Sequence, residues 1–478
     1  MMNSIIKNYI YNTGYQLLTI LIPIITTPYI ARVIGSSGMG KYTYENSIAY
    51  YFVMFIMLGL NNYGNRTIAR VRDDKEAMSK NFCEIYLMQM IIGIVVTILY
   101  FIFCIISAKN NSLRWIMIIY VFSAVVDINW FFFGLEKFQL IVLRNTIIKI
   151  ITTICIFTFI KEKKDLYLYV IILLSGTFIS NLMLWIIVFN NIILIKVRFS
   201  NVIQHLKNNL LLFIPIVAVS LYKYMDKIML GILSEIKQVG FYEYSEKIIQ
   251  IPMALVNSLG TIMLPKMSNL VVNNRNKDEE RYISNSILFA GFSSSSLCFG
   301  LMGIAKEFVP FFYGNGYSIC VYLFYILLPS CCFIAFANVI RTQYLIPHRM
   351  DIIYIKSVIL GAIVNFIFNI ILILHFQAIG AAIATLMAEI LVCLYQAVKL
   401  KDILNISQYV KDTIPFITAG IIMLIVLIKI PTLEENLFIT IIIKIIVGSI
   451  TYLTVLRINL QLRKEELKKI RIILSKVK

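Results

Sequence analysis

Long apolar stretches alternate with short polar ones along the whole chain. Windows near the ~20 residues needed to cross a bilayer begin near Tyr9, Tyr42, Phe82, Trp115, Phe138, Leu166, Leu210, Phe241, Ile283, Cys320, Ile353, Ile379, Thr413 and Leu437. This pattern predicts an all-α polytopic membrane protein of about fourteen transmembrane helices. The first run, residues 9–32, is longer than a signal-peptide core and lacks a small-residue cleavage site, so it is expected to be the first permanent helix. Between residues 289 and 339 the pattern is broken by Gly300, Gly303, Pro310, Gly314, Gly316 and Pro329, which predict bends or a short re-entrant turn. No loop exceeds about 20 residues, too few for a globular domain. Function is therefore expected within the membrane.

A repeat sharpens this picture. Gly40, Tyr42, Tyr44 and Ile48 in GKYTYENSI recur 200 positions later as Gly240, Tyr242, Tyr244 and Ile248 in GFYEYSEKI, and GAAIATLMAEI from Gly380 is a weaker echo. An even number of helices separates the two copies, so they run in the same direction. The expectation is two six-helix lobes related as a parallel pseudo-twofold repeat, plus two C-terminal helices. The corresponding boundaries are 1–205 for the first lobe, 206–405 for the second, and 406–478 for the last two helices with a basic tail.

Composition agrees. Of 478 residues, 59% are hydrophobic and 14% charged, which excludes a soluble fold at this length. Lys and Arg exceed Asp and Glu by 44 − 25 = 19. These charges are parcelled between apolar segments rather than pooled, so they set topology and argue against a nucleic-acid partner. With both termini inside, about 29 Lys and Arg fall on the cytoplasmic side against about 10 outside. The tail from Leu462 is expected to form a basic amphipathic helix on anionic lipid. Eight cysteines without C-x-x-C spacing and three scattered histidines give no metal site and no cofactor.

The polar residues inside the windows are the candidate chemistry. Lys223, Asp226 and Lys227 share one face of the seventh window, and Glu243, Glu246, Lys247 and Gln250 share one face of the eighth. Asp127, Asn129 and Trp130 lie in the fourth window, with Arg144, Asn145 and Lys149 in the fifth. Arg32 and Glu45 extend the set. Local acids are too few to neutralise Arg32, Lys149, Lys223, Lys227 and Lys247 together, and buried cations without counter-ions favour an anionic ligand. Ion pairing between helices is the plainer reading for Asp226 and Glu246, and an interfacial aromatic belt for residues 130–133. Lys444, in the middle of the fourteenth window, has no assigned role. No hydrolase triad, phosphate-cradling glycine loop or acidic metal motif is present, so no catalytic residue is named.

The segments PIITTPYIARVIGSSGMGKYTYENSIAYYF, NNYGNRTIAR, DINWFFFGLEKF with LRNTIIKI, and IPIVAVSLYKYMDKIMLGILSEIKQVGFYEYSEKI resemble the polysaccharide repeat-unit flippases. This Wzx or RfbX-like group belongs to the multidrug, oligosaccharidyl-lipid and polysaccharide exporter superfamily. The resemblance runs from about Asn8 to Glu389 and is most specific around residues 127–138 and 226–231. It implies a two-lobed transporter, not an enzyme. Such a transporter carries an undecaprenyl-diphosphate-linked oligosaccharide from the inner to the outer leaflet of a bacterial plasma membrane by alternating access. It also implies membrane lipid as a partner, with the glycosyltransferases that build the unit and the polymerase that consumes it. By matching motif positions it makes Arg32, Asp127, Arg144, Lys149, Asp226 and Lys227 candidates for functional charge; of these the cations Arg32, Arg144, Lys149 and Lys227, together with Lys223 and Lys247 from the helix faces above, are the candidates for substrate binding. Glu45, Asp127, Asp226, Glu246 and Glu389 become candidates for ion coupling or gating. Tyr42, Tyr50, Tyr222 and Tyr242 are candidate sugar contacts. A lipid-linked peptidoglycan-precursor flippase shares the anionic-substrate logic; a multidrug or cation exporter would call for an acidic cavity, and a polymerase for a large outside loop.

Overall fold

The structure, a computed structural model, describes residues 19, 21–107, 111–432 and 436–476. The expected start of the first helix near Tyr9 and the side chains of the basic tail from Leu462 lie outside the described residues. Every regular element among the described residues is helical. Compact packing divides the chain into two units, Met1–Gly240 and Phe241–Lys478.

The first unit contains α1 (Leu21–Val33), α2 (Gly35–Met57), α3 (Leu60–Val71), α4 (Lys75–Ser107), α5 (Ser112–Ile116), α6 (Ile118–Val125), α7 (Asn129–Gly134), α8 (Phe138–Phe159), α9 (Leu166–Val188) and α10 (Phe199–Leu233). Helix α4 shows what selects such a fold. It exposes Ile94, Val95, Ile98 and Ile105 while burying Gln89, Tyr100 and Cys104. An apolar outside around a polar-containing inside suits hydrocarbon as the solvent.

Two of the motif segments meet in this unit. Helix α3 lies across α7 so closely that a Cβ on Gly64 would fall 2.5 Å from Trp130 Cε3, and one on Gly134 would fall 2.7 Å from Ile68 Cβ. Trp130, Phe131 and Phe132 are buried as a result. The aromatic-belt reading of residues 130–133 is therefore corrected: three of these rings are core, and α3 covers them. The span formed by α5, α6 and α7 is interrupted at residues 126–128, where helical hydrogen bonding lapses. The side chain of Gln89 closes the interruption. Its Nε2 donates to the carbonyls of Ala124 and Asp127, both at 2.8 Å, and its Oε1 accepts from Trp130 Nε1 at 3.0 Å. Backbone groups freed at membrane depth are thus satisfied by protein.

Near the end of this unit the repeat glycines approach each other. A Cβ on Gly40 would fall 1.9 Å from the Ile236 carbonyl oxygen, and one on Gly240 would fall 1.9 Å from that of Ser36. Only glycine fits either place.

The second unit holds most of α11 (Ile236–Val272), then α12 (Asn276–Tyr313), α13 (Ser318–Leu327), α14 (Ser330–Ile340), one π-helical turn (Arg341–Leu345), α15 (Asp351–Leu400), α16 (Ile406–Lys429) and α17 (Leu437–Lys476). Of the expected breaks, Gly314 and Gly316, both with positive φ, form a turn and Pro329 a junction between α13 and α14, whereas Gly300, Gly303 and Pro310 lie inside the continuous helix α12, which corrects the expectation there. Helices α16 and α17 dock on α12: Gly420 faces Phe299, Gly303 faces Leu427, and the Tyr452 hydroxyl meets Ser295 Oγ at 2.8 Å.

Among the described residues, ten segments are long and apolar enough to cross a membrane, fewer than the fourteen windows expected. The reasons are local. The windows at Ile353 and Ile379 both lie in α15, which is broken at Gln377 (φ 51°, ψ −127°). The windows at Tyr9, Tyr42 and Leu210 correspond to α1, which is short in its described part, and to α2 and α10. Polar residues such as Glu45 dilute the apolarity of α2, and α10 includes side chains outside the described residues.

Candidate functional site

The first unit contains a polar cavity of about 470 Å³ whose wall includes Asp127, Asn129, Arg144, Asn145, Lys149 and Ser180. Its geometry follows from the break before α7 and from the i, i+1, i+5 placement of Arg144, Asn145 and Lys149 on α8. Asp127 accepts the Asn129 backbone N–H at 2.9 Å and its Nδ2 at 2.6 Å. Arg144, 6% exposed, donates from Nη2 to Asn129 Oδ1 at 2.8 Å and to Asn145 Oδ1 at 2.7 Å. Ser180 Oγ donates to Asn145 Oδ1 at 3.2 Å, and Asn181 Nδ2 donates to the Ser123 carbonyl at 3.0 Å. Lys149 is half-buried on the same wall. Two cations therefore sit in a wall that also contains amides, hydroxyls and one carboxylate, beside apolar side chains such as Phe133, Ile141 and Leu173. Such a surface can bind an anion and hydrogen-bond a polyol.

Helix α10 places further charge in the same unit. Asp226 and Lys227 are buried, whereas Lys223 is exposed. Both lysines lie over the Tyr224 ring, at 5.8 Å from its centroid, and that ring stacks on Tyr50 at 3.9 Å. Tyr42 packs edge-on against Tyr169 at 5.8 Å. The Tyr222 side chain lies outside the described residues. Arg32 is exposed on α1.

In the second unit, Lys247 Nζ lies 3.6 Å from Glu243 Oε1 and over the Tyr244 ring, while Glu246 and Glu389 are half-buried. The Tyr242 hydroxyl pairs with Thr385 Oγ1 at 2.8 Å. Of the sequence candidates, the structure brings together Asp127, Arg144 and Lys149 in one cavity wall. Asp226 and Lys227 are adjacent on one helix, Lys223 shares the Tyr224 ring with Lys227, and Lys247 stands beside Glu243.

Sequence reasoning missed two ion-pair partners. Glu45 is gripped by Arg114, whose Nε and Nη2 donate at 2.8 and 2.7 Å to its two oxygens, and by Asn111 Nδ2 at 2.6 Å. Lys444 donates to Glu307 Oε1 at 2.7 Å, and Thr432 Oγ1 donates to the same oxygen at 2.7 Å. An acid inside the second window was the signal for the first pair, since such a group needs a partner. Among the described residues, no group of three or more His, Cys, Asp or Glu side chains is placed to hold a metal ion.

A profile of the family described as polysaccharide biosynthesis protein matches residues 5–271, more than half of the chain. The chain belongs to this family. A putative O-antigen transporter of Escherichia coli K12 is 25% identical over 398 residues, covering 81% of this chain and 95% of the relative. A probable low-salt glycan biosynthesis flippase, Agl15, of Haloferax volcanii is 27% identical over 164 residues, 34% of each chain. Among solved structures, the lipid II flippase MurJ in an inward closed conformation superposes with a TM-score of 0.73 at 18% identity, covering 95% of this chain and 99% of that one. An inward-facing MATE family transporter of the MOP superfamily gives 0.56 at 11% identity, with 82% and 99% covered. The family match bears out the resemblance read from the motif segments. The superpositions bear out the all-helical membrane fold.

Proposed function

We propose that this family member is a flippase that moves an undecaprenyl-diphosphate-linked oligosaccharide repeat unit from the inner to the outer leaflet of a bacterial plasma membrane. The observation that carries the reading is the polar cavity of the first unit, where Arg144 and Lys149 stand among amides and hydroxyls. A diphosphate cannot cross hydrocarbon without compensating charge, and a glycan needs the donors and acceptors that Asn129, Asn145 and Ser180 supply. The names of the O-antigen transporter and the glycan flippase among its relatives support the same substrate class.

Both termini lie in the cytoplasm in this proposal, as the positive-inside count requires. Arg32, Arg144, Lys149, Lys223, Lys227 and Lys247 meet the diphosphate in turn as two lobes, 1–205 and 206–405, alternate access around it. Residues 406–478 brace the second lobe. Glu45, Asp127, Asp226, Glu246 and Glu389 are the candidates for coupling transport to a proton or sodium ion or for gating. Glycosyltransferases supply the substrate and a polymerase consumes it.

The test is leaflet-resolved. Lipid-linked oligosaccharide is labelled with a membrane-impermeant sugar probe in intact and in permeabilised deletion cells. Accumulation confined to the cytoplasmic side, relieved by wild type but not by Lys149→Ala/Lys227→Ala protein that inserts normally, is the expected result. Normal outward exposure of unpolymerised units in the deletion cells would overturn the reading.

A further inference from the structure

The first unit contains a second and larger cavity, of about 680 Å³, away from the residues assigned above. Three helices build it, each presenting one stripe of i, i+3, i+4, i+7 spacing. From α3 come Tyr63, Arg66, Thr67 and Arg70; from α4 come Ala77, Lys80, Asn81 and Glu84; from α10 come Asn201, Gln204, His205 and Asn208. The opposite face of α3, with Leu60, Gly64 and Ile68, is buried. The helix is thus held by its apolar side and turns its arginines into the cavity.

The floor is a fixed polar network. Glu84 accepts from Asn201 Nδ2 at 2.6 Å and pairs with His205 Nε2 at 3.1 Å, while the Tyr63 hydroxyl meets His205 Nδ1 at 2.6 Å. Glu84 is the only carboxylate among the described lining residues, and these contacts occupy it. The nearby Asp74 accepts the backbone N–H groups of Glu76 and Ala77. Arg66, Arg70 and Lys80 have no carboxylate within ion-pair distance among the described residues. Two arginines four apart on a helix repel each other, and Lys80 adds a third positive charge across the cavity. Positive-inside bias explains cations on a convex rim. It does not explain three of them converging on a concave site with a pre-ordered floor. The volume lies within the ~300–1,000 Å³ of small-ligand sites, and Arg is the side chain best matched to phosphate oxygens.

We infer that this cavity is a binding site for a phosphate-bearing ligand, with Arg66, Arg70 and Lys80 holding the phosphate oxygens and the Gln204 and Asn208 side presenting polar groups to the remainder of the headgroup. The inference does not rest on the flippase reading. Phosphate of this kind comes from an anionic lipid headgroup, from a prenyl diphosphate or from a soluble phosphorylated compound, and all three share the chemistry.

The test is native mass spectrometry and thermal-shift titration of the detergent-purified full chain with three probes: short-chain phosphatidylglycerol, farnesyl diphosphate and inorganic diphosphate. Short-chain phosphatidylcholine serves as the zwitterionic control. At least one anionic probe should bind, more weakly as salt rises, and about tenfold more weakly in Arg66→Gln/Arg70→Gln/Lys80→Gln protein, as the loss of three exposed charge contacts implies. Which probe binds identifies the source. An Arg66→Lys/Arg70→Lys/Lys80→Arg variant keeps the charge and should retain most of the binding, which separates loss of charge from loss of fold. The loss of probe binding caused by Arg66→Gln/Arg70→Gln/Lys80→Gln should be of the same size in a Lys149→Ala/Lys227→Ala background as in wild type, because the two cavities are separate sites. No binding by any anionic probe, or equal binding by wild type and the neutral variant, would overturn the inference.

Discussion

Lys444 and Glu307 form an ion pair 2.7 Å long whose side chains are 3% and 0% exposed. At an effective dielectric constant of about 20, their Coulomb attraction at that distance is roughly 6 kcal/mol. Much of it offsets the cost of desolvating two charges, so the net worth of the pair is small. Removing one partner is a different matter. Lys444→Met strands the Glu307 carboxylate with Thr432 Oγ1 as its remaining donor, and Glu307→Gln leaves the ammonium facing a neutral amide. Each should destabilise the protein by about 3–5 kcal/mol. The double variant strands no charge and should lie within about 1–2 kcal/mol of wild type, giving a coupling energy of at least about 3 kcal/mol. The assay is equilibrium unfolding in mixed detergent micelles for wild type, both singles and the double. Single losses below about 1 kcal/mol, or a double variant equal to the sum of the singles, would refute the reasoning.

Other outcomes follow from the packing. Gly64→Leu drives a side chain into Trp130 and should cost about 1–3 kcal/mol or more, read as lost thermal stability of the purified protein; a neutral result would show that α3 is free to lift away. Gln89→Leu takes the partner from Trp130 Nε1 and a donor from the carbonyls of Ala124 and Asp127, at about 1–3 kcal/mol for each buried group left unpaired, measured in the same way, with an unchanged melting profile counting against the role given to Gln89. Arg114→Lys cannot reproduce the two-donor grip on Glu45 and should lower stability, while Arg114→Lys combined with Glu45→Gln should recover part of it; failure of the pair to recover any would place the value of Arg114 elsewhere. Gly40→Val should abolish outward exposure of lipid-linked oligosaccharide while the protein still inserts, because a Cβ there meets the backbone of Ile236; full transport by this variant would show that the approach is not needed.

The helices were legible because a membrane span writes its length into the sequence as an apolar run. The window that falls short in α2 does so because polar residues such as Glu45 lie along it. The grouping of Asp127, Arg144 and Lys149 was legible as well, since neighbouring windows carried their polar residues near the same membrane face. Trp130 was not. An aromatic near the end of a span looks the same in sequence whether it meets lipid headgroups or another helix, and its burial depends on Gly64, 66 positions earlier. The partner of Lys444 was hidden for a similar reason: Glu307 lies 137 residues away, and no periodicity connects α12 with α17.

The clamp at Gln89 also bears on how this chain can change over time. One amide serves two carbonyls and an indole from α6, α7 and the break between them, so a substitution at Gln89 disturbs three contacts at once, whereas exchange of one lipid-facing isoleucine of α4 for another apolar residue disturbs none. Along this one helix, therefore, tolerance to substitution should rise and fall with a period of 3.6 residues, with the apolar face drifting freely and the face containing Gln89 locked to the sequence of residues 124–130.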